Sequence, residues 1–149
     1  MKTLQIQKDI LSLLNKNERV FVEIYKDNEV MVALNSYGVF VIPKDNFFID
    51  KDAMKETKFD FLYKNTDLEE ISKTNNSKTC SYKNKSMELA IFDYKETNIL
   101  VNKKLLKYFE KKDDLTYFID KNNKDIKRSP VFVKNYDNLI AIVMPFVER

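Results

Sequence analysis

The stretch LQIQKDILSLLNKNERVFVEIYKDN, Leu4 to Asn28, slides without a gap onto ILVNKKLLKYFEKKDDLTYFIDKNN, Ile99 to Asn123. Six positions are identical: Lys8, Leu11, Lys16, Ile24, Lys26 and Asn28 fall on Lys103, Leu106, Lys111, Ile119, Lys121 and Asn123. Lysine and asparagine are common in this chain, so the matched apolar phase weighs as much as the identities. Farther on, YGVFVIP (Tyr37 to Pro43) falls on LIAIVMP (Leu139 to Pro145) after seven extra residues. Loops absorb such length cheaply.

Working outward, residues Met1 to Gln7 partly alternate and predict a strand, and from Lys8 the set Ile10, Leu11, Leu13 and Leu14 predicts a helix. Val20, Val22 and Ile24 then alternate with Phe21, Glu23 and Tyr25, and Asp27-Asn28 supplies a hairpin turn into Val30, Val32 and Leu34. Gly38, the sole glycine, is read as a positive-φ or close-approach position before a strand from Val39 that Pro43 stops. The second segment repeats this order with Ile99 to Val101, a helix from Lys103 to Lys111, and strands at Leu115 to Asp120, Val131 to Lys134 and Leu139 to Met144.

The expectation is one α+β domain over residues 1–149, a duplicated β-α-β-β-β unit. The first unit covers about 1–43, a crossover about 44–96 and the second unit about 97–149. Within the crossover, Glu56 to Tyr63 alternates like a strand, and Thr66 with Glu69 forms a T-x-x-E helix start running through Ile71. Thr79 to Lys83 and Met87 to Tyr94 read as a hairpin across Asn84-Lys85-Ser86.

Composition narrows the function. The apolar share of 44%, with 11 Phe and 8 Tyr, is that of a folding chain. Net charge is only +3, and of the 26 cations just Arg19, Arg128 and Arg149 are arginines, the residue suited to bidentate base readout; sequence-specific DNA reading is not expected. Cys80 stands alone, so an intrachain disulfide and a multi-cysteine zinc site are excluded. Gln5, Gln7, Lys8 and Asp9 interrupt any signal-like apolar run, and no stretch reaches the roughly 20 apolar residues of a membrane span; a soluble cytoplasmic protein is expected.

Catalysis finds little footing. Without histidine there is no Ser-His or Cys-His nucleophile, and one glycine builds no phosphate cradle; no cofactor or metal is expected. The acidic pairs Asp113-Asp114, Glu69-Glu70 and Asp50-x-Asp52 read as solvated charges, although a carboxylate-dependent hydrolase binding Mg²⁺ or Mn²⁺ there is one alternative. On the second helix Leu105, Leu106 and Phe109 gather on one side, with Lys104, Lys107 and Lys111 opposite and Lys103 at the edge. Such a face suits non-specific contact with DNA phosphates, or simply solvation.

The closing segment SPVFVKNYDNLIAIVMPFVER, Ser129 to Arg149, resembles the end of bacterial DNA sliding clamps, the β subunits of the replicative polymerase. NKKLLKYFEKKDDLTYFID looks like the helix and strand that precede it in that family. The resemblance covers about the last third of the chain and implies a clamp-like domain. It further implies that Ile142, Met144 and Pro145, with Phe146 beside them, border a groove for partner peptides, and that the helix bearing Lys103, Lys104, Lys107 and Lys111 meets DNA. Function is therefore expected to be non-enzymatic: a binding module engaging proteins of DNA replication or repair, with non-specific DNA as a second ligand and self-association through the apolar tail as a third contact. The rival expectation is a small phage or mobile-element inhibitor or adaptor that binds a host protein.

Overall fold

A computed structural model describes residues 1–35 and 37–147. Helix α1 (Thr3–Asn15) leads into a meander of β1 (Phe21–Lys26), β2 (Glu29–Leu34) and β3 (Gly38–Pro43). The crossover holds β4 (Lys55–Glu56), α2 (Asp60–Tyr63), β5 (Leu68–Tyr82) and β6 (Lys85–Tyr94). β7 (Thr97–Asn102), α3 (Lys103–Leu106), β8 (Leu115–Asp120), β9 (Val131–Asn135) and β10 (Asn138–Val143) follow. All ten strands form one mixed sheet in the order β4-β1-β2-β3-β10-β9-β8-β5-β6-β7, so the α+β class holds.

At its centre two antiparallel meanders, β1-β2-β3 and β8-β9-β10, meet along β3 and β10. Their internal registers coincide. Val22↔Val32 and Glu23↔Met31 in the first correspond to Tyr117↔Val133 and Phe118↔Phe132 in the second. Likewise Val30↔Ile42, Met31↔Val41 and Val32↔Phe40 correspond to Val131↔Val143, Phe132↔Ile142 and Val133↔Ala141. These pairings set Phe40 against Ala141, whereas the sequence superposition set it on Ile142. The inserted loop is thus one residue shorter than the superposition implies, and because side chains alternate, that slip exchanges the two faces of the strand.

One face carries Ile6 and Ile10 of α1, Phe40, Ile42, Val133 and Val143, and β6 and β7 fold over to add Phe92 and Val101. The other carries Met31, Val41, Phe132 and Ile142 under the crossover residue Phe59. Gln7, buried on α1, donates to the Asn46 carbonyl at 2.8 Å and accepts from Phe48 N–H at 2.7 Å, tying the crossover to the helix. Glu23, also buried, accepts from Phe59 N–H at 2.8 Å and from the Tyr63 hydroxyl at 2.9 Å, tying it to the opposite face.

Several expectations are corrected. The strand expected over Met1 to Gln7 is the first half of α1: Ile6 and Ile10, one helical turn apart, are both 0% exposed, and that spacing overrides a weak alternation. The first unit is therefore α-β-β-β, and the β-α-β-β-β order begins with a strand only in the second. The helix expected from Lys103 to Lys111 stops at Leu106, because the Tyr108 carbonyl accepts from Lys2 N–H at 2.7 Å and the Tyr108 ring turns in against Phe40, edge to face at 5.2 Å. Phe59 is buried while Phe61 is 79% exposed, so the apparent strand around them is a helical turn, α2. Thr66 does not cap a helix; its hydroxyl donates to the Tyr63 carbonyl, and Leu68 to Ile71 pair with β8. Gly38 has no positive φ, and its bare Cα admits Phe40, whose Cε2 would lie 3.2 Å from a Cβ there. Tight turns fall to Asn17, Asn35, Asn65 and Asn84 instead, all at positive φ.

Candidate functional site

The hairpin of β5 and β6 turns at Lys83 and Asn84, both at positive φ, and β7 pairs with β6 through the run Leu89↔Asn102 to Tyr94↔Thr97. After Val143 the chain leaves β10: Met144 N–H donates to the Tyr37 carbonyl at 2.8 Å, and Phe146 N–H to the Leu100 carbonyl of β7 at 2.7 Å. The C-terminal segment is thereby strapped across the open edge of β7. Its Phe146 ring meets Tyr82 of the hairpin edge to face, centroids 5.8 Å apart.

Between segment and hairpin lies a groove of about 810 Å³, with Tyr37, Tyr82, Met87, Leu105, Met144 and Phe146 among its walls. Pro145 and Val147 border it, and Asn102 and Arg128 bring the polar groups. A second depression of about 580 Å³ continues from it, sharing Tyr82, Met87 and Asn102 and adding Lys83, Lys85, Lys103 and Lys104. Large adaptable apolar side chains with a few fixed polar groups are what a recognition groove requires.

Of the residues expected at a partner site, Met144, Pro145 and Phe146 do come together here. Ile142 does not: it is 0% exposed on the opposite face, packed with Met31 and Phe132. A register irregularity between Leu139 and Ala141 breaks the simple alternation, so Ile140 and Ile142 pack in different clusters. Tyr82 and Met87 carried no sequence signal for the site. The hairpin that holds them is legible from Thr79 to Lys83 and Met87 to Tyr94, although it turns at Lys83-Asn84 rather than across Asn84-Lys85-Ser86, but only the pairing of β6 with β7 carries it to the C-terminal segment.

The lysines expected on one helical face are dispersed. α3 is a single turn, capped by the Asn102 side chain accepting from Lys104 N–H at 3.0 Å. Lys103 is paired with Glu88 at 2.7 Å, its charge holding that carboxyl below its usual range. Lys107 lies 3.6 Å from Asp9 and over the Tyr108 ring, while Lys111 sits beyond the helix end. The Tyr108 hydroxyl donates to Asp9, which docks this segment on α1; burial, then that carboxylate, push the phenol well up. Among the described residues no three of His, Cys, Asp and Glu gather where a metal ion could sit, and Cys80 is a partly exposed free thiol on the groove wall. No helix of the described residues is long and apolar enough to cross a membrane. No protein-family model, curated protein or solved structure matches the chain.

Proposed function

We propose that this chain is a non-enzymatic binding module, clamp-like in its repeated helix and three-stranded meander, whose groove beside the C-terminal segment receives a short segment of a protein partner. The observation that carries this reading is the meeting of Met144, Pro145 and Phe146 with Tyr82 and Met87 around about 810 Å³. That space accommodates a few side chains of an extended peptide, and methionine and aromatic walls adapt to them at small entropic cost. Coincident registers in the two meanders support internal repetition, and the resemblance of Ser129 to Arg149 to sliding clamps supports partners from DNA replication or repair. DNA contact is no part of the proposal, since Lys103 and Lys107 are ion-paired and Lys111 lies off the helix.

The test is selection from a random peptide display library on the folded protein. Enriched peptides should share one or two large apolar anchors and lose binding when Met87, a half-buried groove residue, becomes Asp, with the melting temperature nearly unchanged. Enrichment of no motif, or of motifs indifferent to Met87→Asp, refutes the groove as a peptide site.

A further inference from the structure

We infer that the partner segment is acidic on one side of its apolar anchor, and that the basic depression continuing from the groove reads this acidity; the inference rests on the peptide-groove reading above. The two depressions form a continuous track, because Tyr82, Met87 and Asn102 line both. Along it the charged side chains gather toward one end. Leu105, Met144 and Phe146 wall one end, Met87 lies between, and Lys83, Lys85, Lys103 and Lys104 line the other. Four lysines meet there from two separate elements, the hairpin turn and the start of α3, so their proximity is a product of the fold rather than of a charged run in the sequence.

Among the described residues Glu88 is the one acid on this wall, and it is engaged by Lys103 at 2.7 Å and by the Ser77 hydroxyl at 3.2 Å. Lys83 lies over the Tyr82 ring at 5.3 Å, and Lys85 and Lys104 have no ion pair among the described residues. From Ser72 to Met87 the chain holds no acidic residue at all. Among the described residues, four lysines therefore stand against one carboxylate at this end of the track, and that excess of positive charge favours an anionic ligand.

A peptide fits this pattern better than a nucleic acid. A nucleic-acid strand calls for cations along its whole path and open aromatic faces for successive bases. Here cations crowd one end, and the single aromatic between the depressions, Tyr82, already has Lys83 over its face and Phe146 at its edge. An extended peptide with an aliphatic or aromatic anchor followed by Asp or Glu matches both ends at once.

The experiment selects the same display library in parallel on the wild type and on Lys85→Glu/Lys104→Glu, two exposed side chains whose reversal leaves the core intact. On the wild type, enriched peptides should carry Asp or Glu on one side of the anchor; on the variant they should carry the same anchor with Lys or Arg there. A synthetic acidic peptide from the first selection should lose about tenfold in affinity on the variant, in line with two solvent-exposed charge contacts, and should weaken with added salt. Anchors enriched without any charge preference overturn this inference and leave the groove standing, whereas no enrichment on either protein removes both. Oligothymidylate serves as the competing probe: if it binds the wild type more tightly than the selected peptide and is lost on the variant, the site belongs to nucleic acid and the inference fails.

Discussion

Replacing Phe146 by alanine tests whether the C-terminal segment is a groove wall rather than part of the core. The ring is half-buried and meets Tyr82 edge to face at 5.8 Å and 85°. Full burial of such a side chain contributes roughly 1.5–3 kcal/mol, so partial burial contributes about 1 kcal/mol. The ring pair adds about 0.5–1.5 kcal/mol. The bond from Phe146 N–H to the Leu100 carbonyl survives in alanine, so the expected loss is about 2 kcal/mol, tolerable within a usual margin of roughly 5–15 kcal/mol. Ile142→Asp provides the contrast. It places an unpaired carboxylate in a fully buried site between Met31 and Phe132 and should cost roughly 5 kcal/mol or more, comparable with the lower end of that margin, so that much of the protein unfolds. Urea unfolding of the wild type, Phe146→Ala, Tyr82→Ala and the double variant, followed by circular dichroism, gives the coupling directly, with about 0.5–1.5 kcal/mol expected. A coupling under about 0.3 kcal/mol would show that the rings do not meet in solution. If Phe146→Ala unfolds the protein as Ile142→Asp does, the segment is core and the groove reading fails.

Two further outcomes follow from buried polar groups. Glu23→Ala leaves the Phe59 N–H without its acceptor and removes the Tyr63 bond, so the urea midpoint should fall by the equivalent of about 2–4 kcal/mol, while Glu23→Gln, which keeps an acceptor for Phe59, should stay within about 1.5 kcal/mol of the wild type; equal losses in both would mean that charge rather than hydrogen bonding pins the crossover. Burial and the Glu23 carboxylate raise the Tyr63 phenol, and burial and Asp9 raise that of Tyr108. Groups raised in the folded state contribute stability that is complete below the unfolded tyrosine value near about 10 and is lost as pH climbs beyond it. Urea midpoints taken at about pH 8 and about pH 11 should therefore drop at the alkaline end together with the appearance of tyrosinate absorbance, and a flat profile would contradict the burial of these hydroxyls.

What the sequence made legible divides along physical lines. β1 to β3 and β8 to β10 are readable because their short apolar, β-branched runs are bounded by turn residues, β2 and β3 being buried on both faces, and the turn at Asp27-Asn28 announces itself chemically. The opening of α1 was misread because over seven residues a period of two and a period of 3.6 differ by a single apolar position, and Ile6 belongs to both. β5 pairs first with β8 and then with β6, but it buries only Ile71, so its sequence carries little apolar phase. The candidate site inherits this split. Its C-terminal wall shows itself as an apolar run continuing past Pro145, but its other wall, Tyr82 and Met87, belongs to a hairpin whose position beside that run depends on long-range strand pairing. With α3 cut to one turn, Lys103 and Lys104 line the second depression together with Lys83 and Lys85, and Lys107 and Lys111 fall outside it. Ile142 falls on the core side because β10 runs regularly to Val143, and only the segment after it leaves the strand to border the groove. A strand tolerates no half-measures in register, since one residue of slip exchanges its two faces; aligning the two segments on Pro43 and Pro145 makes that slip by matching Phe40 with Ile142, whereas the registers of the two meanders match it with Ala141.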